Sequence, residues 1–298
     1  MSQISVSKRL RRAVIVIAIV AFSGAGLWVW SRRENLPSRL NSGRRKSPSL
    51  LIAGGGPLPT SVRSRFIELA GASSARVVII PAYQPDVAAL TRLKSFWRDF
   101  EIASLTILTA DSHEQADRSE FIALLTSASG VWISGGTQNF LAERYVDSLV
   151  ERELQQVLKR GGVIGGTSAG ASIMTRLMIL EGRQEATLAR GLDLLPDAVI
   201  DQHFLKRNRV ARLRGVLEKH PQLIGFGIDE STALHVQLHS GSLHVVGNSY
   251  VMAVVPSSDA HSPRIEILKP GDEANMTTLR DPSVPVATAY EFEDSISE

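Results

Sequence analysis

The sequence predicts a doubly wound α/β domain on a mostly parallel sheet, with a C-terminal antiparallel β extension. Three observations predict it. From Ser49 to Gly165, short continuously apolar runs alternate with stretches of helical periodicity. Such runs suit strands buried on both faces of a sheet, with helices on either side. Glycine-rich turns at Gly54–Gly56, Gly135–Gln138 and Gly166–Gly170 each follow an apolar run. Sites in such sheets form beyond the carboxyl ends of strands, so these turns are expected to share one edge. After about residue 222 the pattern changes to short β-like runs with a Gly241-Ser242 hairpin signal.

The elements follow in order. Ser49–Ala53 is a strand ending in Gly54-Gly-Gly-Pro57. Apolar spacing at Val62, Phe66, Ile67 and Leu69 gives a helix after Thr60. Arg76–Pro81 is a second strand, and Asp86–Phe100 is a helix with Val87, Leu90, Leu93, Phe96 and Trp97 on one face. Ala103–Leu108 is a strand, Ser119–Ser127 a helix and Val131–Ser134 a strand. Val146–Arg160 is a helix and Gly162–Gly165 a strand. The late runs are Leu223–Ile228, Ala233–Leu238, Leu243–Val246 and Tyr250–Val255.

A chain of 298 residues with 44% hydrophobic content can bury a sizeable core. It has no cysteine, which excludes disulfides, thiolate nucleophiles and Cys-based metal sites. The motifs imply no metal and no cofactor. The net charge of +3 conceals an asymmetry. Residues 1–46 carry ten Lys and Arg against the single acid Glu34, which leaves 23 basic and 29 acidic residues, a net −6, for the rest. A mildly acidic body speaks against a nucleic-acid-binding surface.

The basic residues frame an apolar run. Residues 1–12 form a basic leader, and Ala13–Trp30 is uncharged and ends in Leu-Trp-Val-Trp. That length suits one transmembrane helix, with Trp28 and Trp30 at an interface. A cleavable signal peptide is the rival, but bulky Leu27–Trp30 after Gly24 and Ala25 leave no small-residue cleavage site. Four basic residues precede the run and six follow, so a strict positive-inside count favours a cytoplasmic body. The early position and short basic lead point instead to export. The expectation is a single-pass membrane anchor at 13–30 with the body extracytoplasmic. Residues 31–48 read as a basic flexible linker, 49–270 as the main folded domain and 271–298 as an acidic, mobile tail.

The chemistry centres on Gly161-Gly-Val-Ile-Gly-Gly-Thr-Ser-Ala-Gly-Ala-Ser172. Gly166-Thr-Ser-Ala-Gly170 fits G-x-S-x-G, the nucleophile-elbow pattern. A strand-to-helix turn this tight strains its central residue, and only small neighbours let the chain pass. Ser168 is lifted clear of the sheet, with a helix N-terminus behind it. The plain alternative is a glycine-rich turn before a helix.

A nucleophilic serine needs a base and an orienting group. Of seven histidines, His203 in Val199-Ile-Asp-Gln-His-Phe204 follows a brief apolar run into a polar cluster, which makes it the best base. The alternative is a histidine satisfied by Asp201. Gly225-Phe-Gly-Ile-Asp-Glu230 ends a strand in two adjacent carboxylates, and either could pair with His203.

Five motifs together resemble cyanophycinases, members of the peptidase E-like serine peptidases with a class I glutamine-amidotransferase-like fold. They are Gly54-Gly-Gly-Pro-Leu-Pro59, Gly135-Gly-Thr-Gln138, Gly165-Gly-Thr-Ser-Ala-Gly-Ala171, Ile200-Asp-Gln-His-Phe204 with Arg207, Arg209 and Arg212, and Gly225-Phe-Gly-Ile-Asp-Glu-Ser-Thr-Ala-Leu234. The resemblance spans residues 50 to 255 or so. It implies a Ser168 nucleophile, a His203 base and a Glu230 orienting acid. Glu181 and Glu185, between serine and histidine, are the rivals for the acid, in a polar stretch that looks mobile. The backbone N–H groups of Gly136 and Ala169 are the expected oxyanion donors. The resemblance carries a substrate pocket over to Gln138, Asp201, Gln202, Arg207, Arg209 and Arg212. It implies cleavage of β-aspartyl-arginine bonds in a cyanophycin-like polymer or peptide. Asn208 and Ala211 replace glycines usual in the family, and Thr137 replaces a common aspartate. The alternatives are an aspartyl dipeptidase on small peptides and a non-catalytic peptide-binding domain. A glutamine-amidotransferase subunit would need a cysteine. A homodimer is admitted as an assembly.

Overall fold

A computed structural model describes residues 47–256, 263–281 and 283. The described chain runs β1 (Ser49–Ala53), α1 (Thr60–Ala70), β2 (Arg76–Ala82), α2 (Val87–Ser95), β3 (Ser104–Ile107), α3 (His113–Ala116), α4 (Ser119–Thr126), β4 (Gly130–Gly136), α5 (Gln138–Tyr145), α6 (Leu149–Lys159), β5 (Val163–Thr167) and α7 (Ala169–Ser172). It continues through β6 (Leu177–Glu181), β7 (Thr187–Arg190), β8 (Ala198–Gln202), α8 (Val210–Lys219), β9 (Ile224–Ile228), β10 (Thr232–Gln237), β11 (Ser242–Gly247), β12 (Val251–Val255), β13 (Arg264–Leu268), β14 (Glu273–Asn275) and α9 (Met276–Arg280).

The main sheet has the order β14-β11-β10-β1-β5-β4-β2-β3. From β1 to β3 every pairing is parallel, and β10, β11 and β14 add antiparallel strands beyond β1. This is an α/β fold on a mostly parallel sheet. The continuous apolar runs follow from burial on both faces. Along β1, Leu50 and Ile52 enter one core with Ile133, Leu154 and Ile164. Leu51 and Ala53 enter the other, with Phe66, Trp97 and Trp132.

The late strands depart from expectation. Of the four expected late runs, β10 and β11 extend the main sheet, whereas β9 and β12 join a separate sheet of order β13-β12-β9-β8. Alternation explains the placement. Ala198, Ile200, Ile224, Phe226, Val251 and Ala253 face the core shared with the main sheet. Val199, Met252 and Val254 face α8, where Leu213, Val216 and Leu217 cover them. Two sheets therefore converge on one core.

Other boundaries also move. The expected helix 146–160 begins only at Leu149, because Asp147 takes a left-handed φ of 64°, and a separate helix, α5, ends just before it at Tyr145. The Ser148 hydroxyl then caps α6, accepting from Val150 N at 3.2 Å. Gln138, expected in a turn, opens α5. The helix after Ser168 is a single turn of four residues, too short for a sizeable macrodipole. The stretch around Glu181 and Glu185 is not a loose loop but the β6–β7 hairpin. The acidic tail expected at 271–298 starts inside the fold, since β14 pairs with β11.

The expectation of a membrane-anchored protein with an extracytoplasmic body is corrected. Among the described residues no helix is long and apolar enough to cross a membrane. The run 13–30, the leader 1–12 and most of the linker 31–48 lie outside the described residues.

Candidate active site

Four strand ends build the site. β5 delivers Ser168, β8 delivers His203, β9 leads to Asp229 and Glu230, and β1 runs into Gly54–Gly56. The first and last belong to the main sheet, the middle two to the second sheet. β1 and β5 are parallel, as are β8 and β9, so each pair ends together.

Ser168 has φ 54° and ψ −112°, a conformation that costs a non-glycine residue about 1–3 kcal/mol. Its backbone N–H is tied to Ala53 O at 3.1 Å. Glycine is required around it by close packing. A Cβ on Gly170 would stand 2.2 Å from Ile133 O, and one on Gly166 2.4 Å from Gly170 O. A Cβ on Gly135, on the neighbouring strand, would stand 3.6 Å from the Ser168 Cβ. Gly136 follows at the end of β4, and Ala169 opens α7.

The Ser168 Oγ lies 2.9 Å from His203 Nε2. His203 Nδ1 lies 2.6 Å from Glu230 Oε1. A carboxylate is acceptor-only, so Nδ1 carries the proton and Nε2 accepts from the serine hydroxyl. Burial pushes the His203 imidazole below its ordinary value of 6.5; Glu230 raises it, and the Arg207 and Arg209 charges lower it further. The ring is therefore held neutral and able to accept a proton.

The adjacent carboxylates divide their work. Asp229 turns away from His203. Its Oδ1 accepts from Leu205 N at 3.1 Å and Lys206 N at 3.0 Å, and its Oδ2 accepts from Ser249 Oγ at 2.8 Å. It thus anchors the loop just beyond the histidine. Glu181 ends β6, and neither it nor Glu185 is a partner of His203.

The expected substrate pocket is only partly open. Gln138 is half-buried and Arg207 exposed. Asp201, Gln202, Arg209 and Arg212 are instead at most 9% exposed and spent on one another. Asp201 Oδ2 accepts from Arg212 Nε at 2.9 Å, and its Oδ1 accepts from both Arg212 and Arg209. Arg209 donates to the Gln202 backbone O at 2.6 Å and to the Gln202 side-chain oxygen. Arg212 also donates to Gly182 O in the β6–β7 turn. The resemblance expects these four at the substrate; in the structure they form one buried, mutually paired cluster. A charge buried this deeply is stable only when paired. Burial pushes the Asp201 carboxyl up and Arg209 down to about 10, while their mutual attraction works against both shifts. A sequence signal for this existed. Arg209 and Arg212 are three apart at a helix start and so share one face.

Sequence reasoning missed what Gly54–Gly56 does. His203 N donates to Gly54 O at 2.7 Å, and Ser231 N donates to Gly55 O at 2.9 Å. A Cβ on Gly56 would stand 2.8 Å from Glu230 Oε2. The glycine turn therefore wraps the histidine–glutamate pair.

The model of peptidase family S51 matches residues 50–244. A cyanophycinase of Synechococcus elongatus is 33% identical over 241 residues, covering 73% of this chain and 74% of that protein. A cyanophycinase of Geminocystis herdmanii is 30% identical over 257 residues, covering 77% of this chain and 94% of the relative. The crystal structure of a peptidase from an acI-B1 actinobacterium superposes with a TM-score of 0.61 at 20% identity, covering 78% of this chain and 98% of the other; it shows the shared fold. With a serine, histidine and glutamate in hydrogen-bonded sequence at converging strand ends, the chain belongs to peptidase family S51 and is a serine-type peptidase.

Proposed function

We propose that this chain is a cyanophycinase-like serine exopeptidase that acts on β-aspartyl-arginine polymers or peptides and releases β-aspartyl-arginine dipeptides through an acyl-enzyme on Ser168. The observation that carries the reading is the chain of contacts from Ser168 Oγ through the His203 ring to Glu230, at 2.9 and 2.6 Å. His203 Nε2 takes the Ser168 proton as Oγ attacks the scissile carbonyl carbon. Glu230 holds the Nδ1 tautomer and stabilises the imidazolium as it forms. Backbone N–H groups of Gly136 and Ala169 receive the developing oxyanion. The proton then passes from Nε2 to the departing amine, and water enters by the reverse path to release the acid.

The substrate class is supported by the cyanophycinase relatives. It is also supported by Arg207, an exposed guanidinium four residues beyond the base and suited to a substrate carboxylate. Gln138 would add an amide contact. Neither a homodimer nor membrane attachment is part of this reading.

The test is mass spectrometry of products from cyanophycin, β-aspartyl-arginine peptides and α-aspartyl peptides. Release of β-aspartyl-arginine by the wild type and not by Ser168→Ala is expected. Turnover of α-aspartyl dipeptides alone would instead assign a small-peptide aspartyl dipeptidase.

A further inference from the structure

The backbone just beyond His203 is held from one strand end, and the acid beside Glu230 supplies two of the ties. His203 has a φ of 49°, left-handed for a residue with a side chain. Such a conformation persists only when its surroundings over-determine it. Arg207 N then closes onto His203 O at 3.0 Å, one helical turn over residues 203–207. The amides at the start of such a turn find no carbonyl within it. The end of β9 supplies their acceptors. Phe204 N donates to Ile228 O at 3.2 Å. Leu205 N and Lys206 N both donate to Asp229 Oδ1, at 3.1 and 3.0 Å. Glu230, the next residue, meets the ring itself at 2.6 Å. Ile228, Asp229 and Glu230 therefore set the backbone and the side chain of the base together. The Asp229 carboxylate is in turn fixed from behind. Its Oδ2 accepts from Ser249 Oγ at 2.8 Å, and Ser249 N donates to Oγ1 of the buried Thr232 at 2.7 Å.

We propose that Asp229 is a positioning residue that caps the turn after His203 and so keeps the imidazole between Ser168 and Glu230. It acts as a hydrogen-bond acceptor, through the backbone of residues 205 and 206. This role rests on the proposed Ser168–His203–Glu230 machinery. Leu205 and Lys206 are exposed, so water can take their amides once the carboxylate is removed. What is then lost is the tie from the turn to β9, not the fold. A small displacement of a reacting group can cost on the order of 10²-fold in rate. Asparagine keeps an oxygen for the two amides and can turn its NH₂ toward Ser249 Oγ, whereas alanine keeps neither.

The experiment compares Asp229→Ala and Asp229→Asn with wild type. The readout is the rate of Ser168 labelling by a small fluorophosphonate, which needs the activated serine but no peptide pocket. Arg207 leaves the same turn, so the KM of a peptide would move for either reason and does not discriminate. Circular dichroism and a thermal melt confirm that each variant is folded. Labelling of Asp229→Ala is expected to fall by roughly 10- to 100-fold. Asp229→Asn should restore it to within about threefold of wild type, because the acceptor is back. Wild-type labelling of folded Asp229→Ala overturns the inference. So does folded Asp229→Asn as slow as Asp229→Ala, since charge and not acceptance at the turn would then matter. Failure of the underlying reading looks different: Ser168→Ala would label as fast as wild type. Should Asp229→Ala not fold, Ser249→Ala frees the carboxylate to rotate off the two amides. Slower labelling there supports the inference, and an unchanged rate overturns it.

Discussion

Gly55 leaves no room for a side chain beside His203: a Cβ built on Gly55 would stand 2.4 Å from His203 Cε1 and 2.5 Å from Nε2. The glycine is at φ 107°, where L-residues are strained in any case. The face of the imidazole beside Ser168 is thus bounded by a turn from the main sheet, while the ring itself hangs from the second.

Gly55→Ala is expected to push the imidazole off Ser168. Peptidase activity should fall by about 10²-fold or more, with a stability loss of roughly 1 kcal/mol or more from the backbone conformation. Fluorophosphonate labelling and a thermal melt separate the two effects. A folded Gly55→Ala enzyme with wild-type labelling would show that the ring escapes the contact.

Ser168→Ala should leave the fold intact and abolish turnover, by about 10³-fold or more, as loss of a nucleophile does in other serine peptidases. The check is steady-state hydrolysis together with circular dichroism. Undiminished hydrolysis by this variant would remove Ser168 from the mechanism.

Glu230→Gln keeps shape and removes charge, and it offers His203 the wrong partner for its tautomer. A loss of roughly 10²–10⁴-fold in kcat is expected. Glu181→Gln and Glu185→Gln should cost far less, since both acids sit on the hairpin beyond the 2.6 Å contact that Glu230 makes with His203. If the order of damage is reversed, the orienting acid lies upstream of the histidine.

The pH profile should carry the signature of a depressed histidine. The base must be neutral to work, and burial holds His203 below the ordinary 6.5. The acid limb of kcat/KM should therefore fall below that value, extending activity toward lower pH. Removing the Arg207 charge, which pushes in the same direction, should move the limb upward in Arg207→Gln. A limb at or above 6.5 in wild type, or one that shifts down in the variant, contradicts this.

Stability should depend on pH through His235. This ring is fully buried in β10, stacked on His244 at 5.4 Å, and its pKa is lowered to about 4, first by burial and then by the Arg65 and His244 charges. The unfolded chain binds its proton near 6.5, so between pH 6.5 and 4 the unfolded state holds more protons than the folded one. Stability is then full above about 6.5 and is lost as pH falls, by about 3 kcal/mol across the window. Urea unfolding at pH 7 and pH 4.5 measures it. His235→Leu should flatten the difference, and an equal slope in both proteins would assign the loss elsewhere.

Local pattern sufficed for several parts of this protein. The apolar runs marked β1, β2, β4 and β5, because strands covered on both faces must be apolar throughout. The elbow at Ser168 was legible because a turn this tight admits only small neighbours. The pairing of two acids after β9 was visible as well, since residues 229 and 230 are adjacent in the chain. Tertiary structure decided which acid faces the histidine, because the His203–Glu230 contact closes across 27 residues and the Ser168–His203 contact across 35. Periodicity reports the burial of a segment and carries nothing about which other segment buries it. For the same reason the sequence could not tell a basic helix start open to substrate from one folded back on Asp201, nor an extension of the first sheet from a second. Both outcomes follow from two sheets packing on one core, which brings the ends of β5 and β8 together and turns Arg209 and Arg212 inward.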